Sequence, residues 1–520
     1  MRIGTNVAAI VANNALQKSQ NNLSTSIERL SSGYKINGSK DDAAGCAISE
    51  KMRAQIRGLS QAQNNTADGV SVLNTAEGAI TEIQSMLTRL KELSVQAAND
   101  VNSDDEREAI QKEIEQINNE IDRISDQTEF NTQSLINGNL SRRVYSDLQG
   151  VNQLSVSDSY TAGVYGITVT EDARQAIAVG AGSITMSSTA SITEEQAGAI
   201  NINGYKISIS EGDTLDKVMG KIIDGVNITG GSAFTVKDLN NDTAANGTDY
   251  AGYVPTADYA GSTLVIMTNQ YGSDQKMNIT CDNAELADIL GIPQAATQDG
   301  IYVEGSDVKA EIATGDDGKR IGFADSAILS TKGTVITVTD VNNKEFSMDV
   351  PGNAAGTVFD DSNNDGQSAA GAGTARTISQ EVTDVGTMSI HVGANQDQVI
   401  VIDIPAITTY SLGTEHMNVM TQYTASRAIS TVDEAINKTN KIRSRIGAYE
   451  NRFDHTTNNL EVSSENLTKS LSTMIDTDMS EEMTTYTSET VLTQAATSIL
   501  AQANDCLLYT SPSPRDRQKS

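Results

Sequence analysis

The stretch Leu73-Asn74-Thr75-Ala76-Glu77-Gly78-Ala79-Ile80-Thr81-Glu82-Ile83-Gln84-Ser85-Met86-Leu87-Thr88-Arg89-Leu90 places apolar side chains in alternating steps of three and four. That spacing draws one narrow stripe along a helix. The rhythm recurs upstream at Leu16, Leu23, Ile27 and Leu30, and downstream at Ile110, Ile114, Ile117, Ile121 and Ile124. Far along the chain it returns at Ile446, Tyr449, Phe453, Leu460, Leu467, Leu471 and Met474, then at Leu492 and Ile499. Neither helical region contains a proline. A stripe this narrow is a coiled-coil seam and buries little on its own. The terminal helices are therefore expected to bundle with each other around a looped-out middle, which is an architecture for assembly.

Composition agrees. A chain of 520 residues is long for a single core and should divide into several domains. The formal net charge of -31, with Asp+Glu 68 against Lys+Arg 37, argues against a nucleic-acid or anionic-membrane surface, because phosphate binding needs clustered cations. Cys46, Cys281 and Cys506 are the only cysteines, too few and too scattered for a disulfide framework or a thiolate zinc site. No apolar run reaches membrane-spanning length. Asn13, Asn14 and Gln17 stand where a cleavable signal peptide would need an apolar core. The protein is expected to be cytoplasmic or exported by a dedicated route without cleavage.

The first helix is expected from about Asn6 to Leu30, with Gly33 after its end able to take the left-handed conformation of a C-cap. A second runs from about Ala44 to Asn99. It contains Gly58, Gly69 and Gly78, each costing about 1 kcal/mol relative to Ala, and close packing is the expected reason for them. Ser103-Asp104-Asp105-Glu106 matches a capping box, opening a third helix that ends near Asp126. From Ser141 to Ile404 the chain turns Gly-rich with Thr/Val/Ile alternation, which predicts one or two mostly β domains. Within it, Ala199 to Ile209 reads as a hairpin turning at Asn203-Gly204, followed by a short helix from Leu215 to Val226. Met388 to Val392 and Val399 to Ile404 predict another hairpin. Helices return over Ala425 to Asn451 and Asn458 to Ala503. The fold class is mainly α at both termini, an antiparallel bundle or coiled coil, around a large mostly β insertion.

Ser26-Ile27-Glu28-Arg29-Leu30-Ser31-Ser32-Gly33 and Lys40-Asp41-Asp42-Ala43-Ala44-Gly45 near the start are similar to the N-terminal signature of a known family: at both ends, over roughly half its length, the chain resembles bacterial flagellin, the subunit of the flagellar filament. Gln55-Ile56-Arg57-Gly58-Leu59, Glu92 to Asn99, Glu120 to Ile124 and Thr128 to Asn131 continue it. Arg443 to Ala448, Asn451-Arg452-Phe453 and Ala501-Gln502-Ala503-Asn504 are similar to the C-terminal signature. The resemblance implies export, uncleaved, through the flagellar type III apparatus with a chaperone. Self-assembly into a hollow helical tube follows, under the filament cap and next to hook-junction proteins. It further implies that 1–44 with 459–504 line the channel, that 45–140 with 388–458 form an outer helical core, and that 141–387 project outward. The assembly seam is then Leu16, Leu23, Ile27, Leu30, Leu460, Leu467, Leu471, Met474, Leu492 and Ile499. Arg89, Leu93 and Glu113 stand where the family is recognised by Toll-like receptor 5, with Thr88, Lys91 and Ser94 around them. A few apolar residues per terminal helix recover less free energy than ordering a helix of that length costs in backbone entropy. The ends are thus expected to stay loose until neighbours pack on them.

Two departures stand out. Cys46 replaces a usual aliphatic residue. Residues 505–520 replace an apolar helical ending with a tail containing Pro512 and Pro514, which cannot extend a helix and reads as a frameshift, fusion or assembly artefact. Other functions fare worse. A metalloprotease insertion would need His-Glu-x-x-His, whereas His391, His416 and His455 are far apart. Asp361 to Gly366 resembles half of a calcium loop, but Ala372 stands where the closing carboxylate belongs. No cofactor, metal or catalytic residue is expected. A hook–filament junction protein is the structural alternative, and an adhesin or glycan-binding insertion the alternative of another class.

Overall fold

The computed structural model describes residues 7–510 apart from 158–159, 181, 237–258, 260, 293–299, 316–317, 341–343, 353–358, 361–368, 371–374 and 384. Eight α-helices are described: α1 Val7–Ser32, α2 Ala43–Ala97, α3 Asp104–Gln127, α4 Leu215–Ile228, α5 Ala284–Ile289, α6 Thr409–Leu412, α7 Gln422–Ile475 and α8 Met479–Thr510. The strands lie between α3 and α6. The mainly α termini around a β-rich centre are therefore as the sequence indicated. The half calcium loop and the tail from 511 lie outside the described residues.

The chain divides into two compact units. One comprises Met1–Gly69, Ile390–Ile400 and Arg452–Ser520; the other comprises Val70–Ser389 and Val401–Asn451. In the first, α1 ends at Gly33, whose φ of 76° and N–H donated to the Arg29 carbonyl at 2.8 Å form the expected cap. The chain then pairs with the far terminus: Lys35 N–H donates to Ile475 O at 2.7 Å, and Thr477 N–H donates to Gly33 O at 2.9 Å. That junction corrects the sequence reading, which broke the C-terminal helix near 452–457. Helix α7 runs through those residues because they include neither Gly nor Pro and because Phe453 is fully buried. The break falls instead at Asp478, whose carboxylate accepts the amides of Ser480 and Glu481 at 2.9 and 3.3 Å and so caps α8.

In the second unit the opening stripe is wholly inside: Leu73, Ala76, Ile80, Ile83, Leu87 and Leu90 expose nothing. Ile110, Ile114 and Ile121 of α3 and Val432, Ala435, Ile446 and Tyr449 of α7 are buried as well. Arg443 Nη2 meets Glu77 Oε1 at 2.6 Å, and Lys91 Nζ meets Asp433 Oδ1 at 2.6 Å, so α2 and α7 run antiparallel here. Helix α2 lacks a glycine cap. At its end the buried Arg107 donates to Ala97 O and, just beyond, to Asn99 O at 3.2 Å each, while Asn102 donates to Gln96 O. The Ser103–Glu106 capping box is present. The loop after α6 is laced to α3 by polar side chains. Gln111 and Asn118 donate to Met417 O and Thr414 O at 3.0 and 2.8 Å, and Asp122 accepts from Thr409 N–H at 2.8 Å.

Beside a small cluster of Ile177, Val179, Phe234, Val265 and Met267, the β region of this unit holds two larger cores. One gathers α4, α5, the antiparallel sheet ordered Ile301–Glu304, Lys276–Cys281, Gly198–Ile202, Tyr205–Ile209, and a three-stranded sheet centred on Thr263–Thr268. Its hairpin pairs Ile202 with Tyr205 through Asn203 and Gly204 at φ 51° and 90°, the left-handed pair that a type I′ turn requires. The other packs two four-stranded antiparallel sheets around Phe346, with the Tyr160, Tyr165 and Phe323 rings 5.7 to 6.1 Å from it.

Close packing explains two of the three glycines singled out in α2, Gly58 and Gly69. A Cβ on Gly69 would meet the Phe453 ring at 3.1 Å, and one on Gly58 would meet Ala394 Cβ at 3.0 Å, but one on Gly78 would meet nothing within 4 Å. The expectation fails for Gly78, and no contact in the structure accounts for it. Gly78→Ala should therefore stabilise the helical region by about 1 kcal/mol, whereas Gly69→Ala should destabilise it by about 1 to 3 kcal/mol as overpacking against a buried ring. Urea unfolding followed by circular dichroism at 222 nm checks the pair; equal effects would refute the contrast.

Candidate functional site

In the first unit α1 and α8 lie antiparallel along a seam that is partly polar. Ser19 Oγ donates to Glu489 Oε2 at 2.6 Å and Asn22 Nδ2 to Glu489 Oε1 at 2.9 Å. Thr493 Oγ1 donates to Ser19 Oγ at 3.2 Å, and Arg29 pairs with Glu482 at 3.6 Å. The residues α1 buries are Ala12, Ser19 and Ser26, seven apart. Leu16, Leu23 and Leu30, also seven apart, are half-buried, while Ile27 is exposed. Small residues thus occupy one of the two heptad positions and leucines the other. The reading from large apolar side chains missed Ala12, Ser19 and Ser26, although their seven-residue recurrence was visible.

Further along this unit Leu460 is buried with Leu59 and Ala62, and Leu467 packs against them; Leu471 and Met474 are half-buried. Leu492 and Ile499 of α8 are exposed, as are Val7, Ile10, Val11, Met483 and Val491. Both terminal helices therefore present apolar side chains that their own chain leaves uncovered.

In the second unit Arg89 reaches from α2 to α3. Its Nε and Nη2 donate to Glu113 Oε1 at 3.0 and 2.8 Å, and its Nη1 donates to Glu92 Oε2 at 3.1 Å. Arg89 and Glu113 are on the surface, but Leu93 is 1% exposed, so it packs inside and cannot stand in a surface patch of the single chain. Ser94 is buried with its hydroxyl on Leu90 O, Lys91 is held by Asp433, and Thr88 is exposed. No group of three or more His, Cys, Asp or Glu that could hold a metal occurs among the described residues. His391 ends a strand, His416 lies between α6 and α7, and His455 lies on α7. No described helix is long and apolar enough to cross a membrane.

The geometry can be set beside known proteins. A model of the bacterial flagellin N-terminal helical region matches residues 3–141, and one of the bacterial flagellin C-terminal helical region matches residues 429–508. A flagellin of Salmonella typhimurium (strain LT2) is 31% identical, over 96% of this chain and 97% of its own. Polar flagellin A of Vibrio parahaemolyticus is 29% identical, over 97% of this chain and 96% of its own. Among solved structures, FliC from Burkholderia pseudomallei is 15% identical, over 74% of this chain and 99% of its own, with a TM-score of 0.22.

The seam should be acid-sensitive. Hydrogen bonds from Ser19 and then Asn22 hold the Glu489 carboxyl below the usual glutamate range. A lowered folded pKa adds stability that is present above the unfolded value of about 4.3 and is lost as pH falls through the folded value. In polymerised protein, Glu489→Gln should speed amide exchange in α1 at pH 7 and by less at about pH 4, just below the unfolded glutamate value. An equal effect at both pH values would refute the assignment.

Proposed function

Because this chain belongs to the bacterial flagellin family, and is a structural subunit of the flagellar filament and not an enzyme, we propose that its terminal helices form the seam through which copies assemble. The observation that carries this is the exposed apolar set on α1 and α8, including Ile10, Val11, Val491 and Ile499. Such surface is costly in water and is covered by association. The chain self-assembles as a filament. The finer scheme is that residues 1–44 with 459–504 line the channel, that 45–140 with 388–458 build the outer core, and that 141–387 face outward. The Leu16, Leu23, Ile27, Leu30 row, together with Leu460, Leu467, Leu471, Met474, Leu492 and Ile499, would bear the contacts. The helices order as neighbours arrive. Export through the flagellar type III apparatus, chaperone capture and addition under the cap next to hook-junction proteins follow from the same reading, with an extracellular destination.

A second proposed role is recognition by Toll-like receptor 5. Support comes from the fixed, exposed Arg89–Glu113 pair. A planar guanidinium already held in one geometry loses little entropy on binding. Leu93 would support the patch from beneath.

Electron microscopy after precipitant-induced polymerisation tests the seam. The unaltered chain should form tubes and the Val491→Asp, Ile499→Asp double variant should not; tubes from both would overturn the seam assignment. Hydrogen exchange in the free monomer should show little protection over Leu16 to Leu30, and full protection there would refute ordering on assembly. For the receptor, Arg89→Ala should raise the half-maximal dose in a reporter-cell assay roughly tenfold, the equivalent of about 1.4 kcal/mol. An unchanged dose would remove Arg89 from the patch.

A further inference from the structure

We propose that the second unit carries a binding groove for a neutral oligosaccharide, running through two clefts that share Asn203 and Lys276. The clefts measure about 690 and 410 Å³, within the range of small-ligand sites. Both are built by α3 and the segment leading into α7 on one side and by the β region on the other. The Asn203-Gly204 turn stands where they meet. It is tied down, since Asn203 Nδ2 donates to Lys276 O at 3.1 Å and its Oδ1 accepts the Asn278 amide at 2.8 Å.

The larger cleft is walled by side-chain amides, among them Asn118, Asn227, Asn269, Gln270, Gln275 and Asn418. An amide both donates and accepts, which is what a sugar hydroxyl also does. Several are held in place beforehand. Asn418 spans Ile228 O and the Met420 amide at 2.9 Å each. The buried Gln275 donates to Gln270 at 3.0 Å and accepts from Arg427 at 3.1 Å. Held groups lose little entropy when a ligand arrives.

The smaller cleft adds Tyr205, Tyr302 and Tyr423 beside Asp100 and Asp104. Aromatic faces are electron-rich and suit the C–H face of a pyranose, while carboxylates accept strong hydrogen bonds from its hydroxyls. Tyr302 is 51% exposed, yet its position is set by its hydroxyl on Glu304 at 2.6 Å and by Lys276 Nζ 5.7 Å from the ring centre.

Charge selects neutral sugars. Glu115, Asp122 and Glu415 share the lining of the larger cleft with Lys276 and Arg427, and in the smaller Arg107 lies 4.0 and 3.9 Å from Asp100 and Asp104. With no cationic excess there and a chain charge of -31, sialylated or sulfated chains are disfavoured.

The test is saturation-transfer NMR on the full-length monomer, so it is independent of filament formation. Maltotetraose, cellotetraose, chitotetraose and mannotetraose are the probes, with 3′-sialyllactose as the charged comparison. At least one neutral tetrasaccharide should bind, and Tyr302→Ala or Asn227→Ala should weaken it roughly tenfold. Both side chains are exposed, so the thermal melt should not move. Absence of binding by all four, binding unaltered in both variants, or equal binding of sialyllactose would overturn the proposal.

Discussion

Everything in this molecule depends on a constraint of helix geometry: apolar residues spaced three and four apart face one side only, so a long helix carrying them must find a partner. Helix α2 shows the constraint satisfied in its second half, where the stripe from Leu73 to Leu90 is sealed. Antiparallel α7 is fixed there by the Glu77–Arg443 and Lys91–Asp433 pairs. Lys91–Asp433 is half exposed and Glu77–Arg443 half-buried; such pairs set register, while burial of the stripe supplies most of the stability.

In the terminal pair α1 and α8 the same constraint is only partly met. Their contact line uses Ala12, Ser19 and Ser26, small residues that let backbones approach while releasing little free energy through apolar burial. Larger apolar side chains remain outside on both helices. With small residues at one heptad position and only half-buried leucines at the other, the pair leaves apolar surface of the kind that association covers.

The β region follows other rules. Its two larger cores close through alternation within antiparallel strands, and polar contacts join it to the helical side, as where Asn418 donates to Ile228 O, Arg427 to Gln275 and Lys441 to Glu345. Polar attachment of this kind leaves room for solvent, and the paired clefts around Asn203 and Lys276 are its consequence. Most of the motif resemblance lies at the two ends, with Asn201-Ile202-Asn203-Gly204 alone in the centre, whereas relatives align over nearly the whole chain.

Periodicity and turn chemistry by themselves determined the helical ends, the Gly33 cap, the Ser103–Glu106 box and the Asn203-Gly204 hairpin, because each is a local rule acting over a few residues. Only tertiary structure decided that α7 continues through 452–457, where Phe453 is buried, and that the break falls at the cap on Asp478. It also decided that Leu93 points inward while Arg89 bridges to Glu113, and that Gly69 but not Gly78 has a steric reason. Whether a position on a helix faces a neighbour, a ring or water depends on segments hundreds of residues away, and no local pattern encodes that distance.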